Sequence, residues 1–283
     1  MSGPLRIVGV VLVHDEDVFL ERAIRNVAGF CDRIHAVDHV SRDRTPEILR
    51  GLAGELDHLD VRRARHTATS HHVIEPYAGT RTWVIGVDGD ELFDPAALPR
   101  LRSHLEAGAL GEYFMVKAHV LNCEELDEEA GVARGWMAPP SRPVTKLFNF
   151  AAVDAWTGCV ERLHGGDPVF RPGFGWKPWC DLAATESWDT DPLRCIHTCF
   201  LRRSSLERDE DVGHRRNLDE TRAFRRGWLG AADRALRPRR LSPGAAKVAE
   251  KGTTWKRDWY TRGQRLEVDA TPFLTAGARQ AVR

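Results

Sequence analysis

Trp83-Val84-Ile85-Gly86-Val87-Asp88-Gly89-Asp90-Glu91 is an apolar run that ends abruptly in three carboxylates spaced by one glycine. A strand with one wet face alternates apolar and polar residues. Residues 83–87 are apolar throughout, the pattern of a central strand covered on both sides. Clustered carboxylates repel one another, so a fold that keeps them together compensates them with a cation or a proton. In extended chain Asp88 and Asp90 point to the same side, and Gly89 leaves the backbone open to a ligand. Hard oxygen ligands of this kind suit Mg2+ or Mn2+, which keep positions for the oxygens of a substrate diphosphate. The plainer alternative is a solvated loop that caps the next helix.

Upstream, residues 5–14 (LRIVGVVLVH) form a continuous apolar strand, and residues 17–30 carry Val18, Phe19, Ala23, Ile24, Val27 and Phe30 at helical spacing. Residues 33–40 are a second strand. Thr45-Pro46-Glu47 opens a helix, with threonine as N-cap and proline at the first helical position. Residues 59–64 are a third strand, and the apolar run is the fourth. Downstream, Asp94-Pro95 starts a helix through Leu98, Leu101 and Leu105. Residues 112–121 and 144–150 are strands, and residues 124–129 form an acidic surface loop. Alternating strands and helices are the grammar of a parallel doubly wound sheet, whose ligands sit at the carboxyl ends of the strands. That rule gathers His14, Asp15 and Glu16, then Asp38 and His39, then Asp88 to Glu91. Asp38 is either a turn residue or an acceptor for a nucleotide base or ribose.

The chain has 283 residues, 42% of them hydrophobic, and Lys plus Arg balance Asp plus Glu at 41 each. Core material is ample, and no global field points to nucleic acid. The balance hides an asymmetry, with bases in excess beyond Phe200 and acids before it. Without an apolar leader or a stretch of about 18 apolar residues, the expectation is a cytoplasmic protein with no integral membrane association. The six cysteines are expected as reduced thiols, and Cys195 and Cys199 lack the spacing of a structural zinc site. Residues 156–188 are rich in glycine, proline and tryptophan, and Trp156, Trp176, Trp179 and Trp188 either stack on an acceptor or plug the core. Glu161, beside Trp156 and His164, has the setting of a general base, with a surface pair to Arg162 as the alternative. His197 lies in a short apolar strand, where a lone histidine is more often core than ligand. Residues 201–228 read as an arginine-rich helix. Lys256, Arg257, Tyr260, Arg262 and Arg265 form a cluster able to neutralise a diphosphate.

Taken together, these segments resemble the family 2 glycosyltransferases of the GT-A fold. VVLVHDEDVFLERAIRNV is similar to that family's first strand and helix, AVDHVSRDRTPEIL to its Asp-x-x-Ser-x-Asp-x-Thr segment, and WVIGVDGDELFDP to its D-x-D strand. KLFNF followed by WTGCVERLH is similar to the region before the acceptor pocket, with Glu161 at the family's glutamate and Val160 where a histidine often stands. The Ala-Arg-Asn segment that often precedes the D-x-D strand is replaced by HTATSHHVIEPYAGT.

The resemblance implies an α/β fold, a GT-A-like single Rossmann-type domain with a central mostly parallel sheet and a C-terminal helical extension. Residues 1–121 would bind the nucleotide sugar and residues 122–200 the acceptor, with residues 201–283 a basic helical extension and lid. Val13, His14, Glu16, Asp38, Asp88, Gly89, Lys256, Tyr260 and Arg262 would hold the donor, a UDP-sugar ahead of a GDP-sugar. Asp88, Asp90 and His197 would hold Mn2+ or Mg2+. Trp156, His164, Trp176 and Trp179 would line a pocket for a soluble small-molecule acceptor, and Glu161 would be the base, with Asp181 or Glu186 as alternatives. The expected reaction is metal-dependent glycosyl transfer with inversion. A lipid-linked or polysaccharide acceptor, or an inactive nucleotide-sugar-binding protein, is the rival reading. A homodimer is compatible with it.

Overall fold

Two buried faces are what the apolar run at residues 83–87 demands, and the chain supplies a different cover for each. A computed structural model describes residues 3–65, 72–140, 145–157, 167–175, 178–213 and 254–275. In chain order the elements are β1 (Arg6–Val13), α1 (Leu20–Ala28), β2 (Arg33–Asp38), α2 (Thr45–Glu55), β3 (Leu59–Arg63), β4 (Thr82–Val87), β5 (Glu91–Phe93) and α3 (Leu98–Glu106). There follow β6 (Met115–Lys117), β7 (Val120–Asp127), β8 (Val132–Ala138), β9 (Thr145–Asn149), β10 (Val153–Thr157), β11 (Asp167–Phe170), β12 (Trp179–Asp181) and β13 (Cys195–His197). The last described elements are α4 (Thr254–Tyr260), β14 (Arg265–Asp269) and α5 (Thr271–Leu274).

The main sheet has the order β12-β6-β9-β4-β1-β2-β3. Six of its seven strands run the same way and only β9 opposes them. This is the expected α/β architecture with a mostly parallel sheet. Ile7, Val11 and Val13 of β1 and Trp83, Ile85 and Val87 of β4 face α1, α2 and α3. The intervening Val8, Val10 and Val84 face a second layer made of Val73, Ile74, Phe114, Phe148, Phe150 and Trp156. Helices therefore cover one side and an aromatic layer the other, which is why these strands read as unbroken apolar runs.

The turn after β4 leads into a second sheet of order β14-β8-β7-β13-β5. Local pattern misread several of its parts. The single strand expected at residues 112–121 is two, because the chain leaves the main sheet after Lys117 and enters the second sheet at Val120. The acidic run expected as a loop belongs largely to β7, which pairs with β8 as far as Asp127. Its alternating burial marks a strand with one solvated face, so the glutamates on that face need no loop. The C-terminal part contributes β14 as well as helices, and residues 201–213, expected as the start of a long helix, hold only a short 3-10 turn at Asp209–Asp211. The rest of that expected helix lies outside the described residues.

Gly135 of β8 lets β7 approach closely, since a Cβ there would stand 2.2 Å from the Asn122 carbonyl oxygen. Neither backbone can retreat without breaking the ladder. Gly135→Ala is expected to lower the unfolding free energy by about 2 kcal/mol, read by urea denaturation, and an unchanged midpoint would contradict the close approach.

Candidate functional site

β1 lies at the middle of the parallel order, with β2 and β3 to one side and β4 to the other. The crevice at such a switch point is where open α/β sheets bind ligands. Here it is lined by buried acids: Asp15, Glu16 and Asp17 after β1, Asp38 at the end of β2, and Asp90 and Glu91 after β4.

The loop after β1 is held by the Ser-x-Asp-x-Thr segment after β2. The backbone N–H of Asp15 donates to Ser41 Oγ at 2.9 Å, that of Glu16 to Thr45 Oγ1 at 2.9 Å, and that of Asp17 to an Asp43 carboxylate oxygen at 3.2 Å. Thr45 is thus the first residue of α2 and spends its hydroxyl on Glu16 rather than capping its own helix. Two residues beside this lacing adopt left-handed backbone, Asp15 at φ 53° and Val40 at φ 63°. Aspartate tolerates that region, whereas a β-branched valine is strained there. Such strain concentrates at functional sites, where the surrounding structure enforces it.

Glu16 in turn accepts from the Gly89 N–H at 3.2 Å, tying the end of β1 to the acidic turn. A side chain at Gly89 would meet Glu16 and Val13 Cγ1, at 2.5 Å and 3.2 Å from the new Cβ. The Asp90 carbonyl accepts from the Thr198 N–H at 2.8 Å, which brings the end of β13 against the same turn. His197 Nδ1 pairs with Asn122 Oδ1 at 3.1 Å, and its Nε2 stands 3.6 Å from Asp90 Oδ2. Tyr260 of α4 sets its ring edge-on to His197, with centroids 5.5 Å apart.

One residue here escaped the sequence reading. Arg203 pairs through Nη1 with Asp90 Oδ2, and the same nitrogen lies 3.9 Å from Glu16 Oε1. Nothing local marks it, since its partner is 113 residues away and its neighbours read as a helix. Burial alone would raise the Asp90 carboxyl, but Arg203 and His197 outweigh it and hold the group well below the usual carboxylate range. Burial likewise opposes the charged form of His197, yet Cys199 and Asp90 lift its pKa well above the ordinary value. Asp15 and Asp17 are also lowered against their burial, the first by Arg42, the second by Ser205 and Arg44.

The structure brings together Val13, His14, Glu16, Asp38, Asp88, Gly89, Asp90, His197 and Tyr260. His14 Nδ1 reaches the His39 carbonyl at 2.9 Å, and Asp38 Oδ1 accepts from the Ser41 N–H at 2.9 Å. Other assignments change. Trp156 is 2% exposed and stacks on Phe150 among Phe114 and Phe148, so its ring faces are used by the core rather than by an acceptor. Trp179 is half-buried at the far end of the sheet, with the Lys117 ammonium 3.7 Å from its ring centroid. Arg257 and Arg265, expected to meet a diphosphate, pair with Glu124 and Glu125 on the second sheet. Arg262 is exposed and lies over Trp259. Glu161, His164 and Trp176 lie outside the described residues, as does the Lys256 side chain.

As they stand, the side chains do not fit a divalent ion. Asp90 Oδ2 is taken by Arg203 and His197, Asp90 Oδ1 is sealed from solvent without a hydrogen-bond partner, and no three His, Cys, Asp or Glu side chains converge as a metal set among the described residues. The five described cysteines are free thiols, and no helix among the described residues is long and apolar enough to cross a membrane.

No protein-family model matches the chain, and neither does any curated protein sequence. Similar solved structures include TarS of S. aureus, at 12% identity over 66% of this chain and 38% of TarS, with a TM-score of 0.39. A mannosyltransferase from Pyrobaculum calidifontis, solved with GDP-Man and Mn2+, is 20% identical over 41% of this chain and 36% of its own, with a TM-score of 0.33. Glucosyl-3-phosphoglycerate synthase from Mycobacterium tuberculosis follows at 17% identity, 41% and 44% coverage and a TM-score of 0.30. The chain thus spans less than half the length of each. The architecture itself rests on the strand order.

Two outcomes follow from the buried charges. Asp90→Asn leaves the Arg203 guanidinium without its carboxylate and is expected to destabilise the fold by about 3 kcal/mol, measured by urea unfolding at pH 7. Because the folded pKa values of Asp15, Asp17 and Asp90 lie below their unfolded value of 3.8, their contribution is complete above that value and is lost as pH falls through the folded ones. Unfolding free energy should therefore drop as pH is taken below about 4; a flat acid limb would contradict the pairings.

Proposed function

We propose that the protein transfers a sugar from a nucleoside diphosphate donor to an acceptor hydroxyl. The observation that supports this reading is the shared edge at the β1/β4 switch point, where the ends of three neighbouring parallel strands bring Asp38, Glu16 and the Asp88-Gly89-Asp90 turn together. Asp38, with Val13 and His14, is assigned to the nucleoside, and Asp88 to the ribose. Gly89 keeps the floor of the crevice free of side chain. Lys256 and Tyr260 are assigned to the diphosphate, and Tyr260 already packs against His197. A UDP-sugar is the preferred donor, ahead of a GDP-sugar.

The acceptor is placed toward the other end of the same edge. β6 and β12 run parallel to β4, so Lys117 and Asp181 end at the same side of the sheet as Asp88. β12 lies three strands from β4, roughly 14 Å at ~4.8 Å per strand, enough to seat a sugar and a small acceptor between them. Trp179, with His164 and Trp176, would then offer apolar faces to that acceptor. The acceptor oxygen attacks the anomeric carbon from the face opposite the diphosphate. The new C–O bond forms as the bond to the β-phosphate oxygen breaks, the diphosphate leaves with the electron pair, and the configuration inverts. Glu161 takes the hydroxyl proton, with Asp181 and Glu186, at and just beyond the end of β12, as alternatives.

Two measurements test this. UDP at a hundred times its dissociation constant should stabilise the protein by about 2.7 kcal/mol, a rise of about 5 °C in Tm at this size, with GDP and dTDP weaker and Asp38→Ala lowering UDP affinity at least tenfold. No shift with any of the three nucleotides would refute the donor site. Glu161→Gln should lower kcat by about 100-fold or more; a near-normal rate would move the base to Asp181 or Glu186.

A further inference from the structure

The arginine paired with the acidic turn is fixed from several directions. The Val18 N–H donates to the Arg203 carbonyl at 3.1 Å, and the Arg203 N–H donates to a Glu207 carboxylate oxygen at 2.9 Å. Ser204 Oγ donates to Asp43 at 2.6 Å, and Ser205 donates to Asp17 from its N–H at 2.7 Å and its hydroxyl at 2.6 Å. Asp43 and Asp17 belong to the loops after β2 and β1. The segment carrying Arg203 is therefore strapped across the carboxyl ends of the strands by the same residues that shape the crevice. A surface arginine that met Asp90 by chance would need none of this.

The guanidinium uses Nη1 on Asp90, while Nε and Nη2 have no partner among the described residues and are not sealed from solvent. With its side chain 14% exposed, Arg203 neutralises the buried acid and keeps planar N–H donors that remain open to solvent. Such donors match phosphate oxygens in geometry and charge. A divalent ion seeking Asp90 would have to displace a pair held by the whole strap and then open the sealed Oδ1.

We propose that Arg203 is the cation that meets the donor diphosphate, a built-in positive charge standing where the acidic turn would otherwise recruit a metal ion, so that donor binding does not require a divalent cation. This inference rests on the nucleotide-sugar reading and names the group that recognises the leaving diphosphate. As the bond to the β-phosphate oxygen breaks, the charge left on the diphosphate falls against the guanidinium, which needs no proton transfer to receive it.

The test is UDP binding by isothermal titration calorimetry in EDTA and in Mn2+, paired with Mn2+ binding followed by electron paramagnetic resonance. Wild type should bind UDP with dissociation constants within twofold of each other in the two buffers and hold no Mn2+ at micromolar protein. Arg203→Gln should bind UDP at least tenfold more weakly in EDTA, recover part of that affinity in Mn2+, and show a bound Mn2+ signal, because Asp90 is released. Should Arg203→Gln fail to fold, Arg203→Lys keeps the charge but loses the planar fork, and is expected to weaken UDP in EDTA by several fold. A wild-type affinity that falls tenfold or more in EDTA overturns the inference and leaves the donor site standing. Unchanged affinity in the arginine variant that folds also overturns it. Failure of wild type to bind UDP, GDP or dTDP in either buffer refutes the donor site itself, and the inference with it.

Discussion

Packing Asp15, Glu16, Asp17, Asp38, Asp90 and Glu91 behind the ends of three neighbouring strands is the constraint that the rest of the structure answers. Each carboxylate lost water on burial and must recover it as hydrogen bonds or opposite charge. The loops after β1 and β2 do so reciprocally: Ser41, Asp43 and Thr45 receive the N–H groups of Asp15, Asp17 and Glu16, while Asp15 and Asp17 receive those of Arg42 and Arg44. Arg203 and His197 complete the balance at Asp90. Remove the charges and the loops have no reason to close; remove the loops and the charges have no partners.

The same mutual dependence fixes the acidic turn from both sheets. The two sheets join at the Asp88–Asp90 turn, and both hold it. Glu16 from the main sheet accepts from Gly89, and Thr198, just past the second sheet's β13, donates to Asp90. Asn122 of β7 orients the His197 ring, and the close approach at Gly135 sets where Asn122 lies. A disturbance in the second sheet therefore reaches the acidic turn through two contacts. The strain at Val40 is tolerated because the strand before it and the lacing after it leave the backbone no other path.

Much of this is legible in the sequence. β1 and β4 are buried on both faces because helices cover one side and aromatic residues the other, so their apolar runs stand out. The polar residues at their ends fell together because parallel strands share an edge. Reading failed where burial is decided at a distance. Trp156 sits in a segment without periodicity, and only its stack with Phe150 and Phe114 shows that it is core. Glu124 and Glu125 look like a loop until β8 pairs beside them and Arg265 reaches both.

By itself, then, the amino-acid order determined the first four strands of the parallel sheet and the line of acids at its edge, since hydrophobic period and strand ends are local properties of the chain, whereas β6 and β12 were set apart only by their pairing. Which cation those acids keep was decided only by the tertiary structure. A carboxylate is written the same way whether a metal ion or an arginine stands beside it. The arginine that does so here comes from 113 residues further on, carried in by a strap whose serines bind the two neighbouring loops.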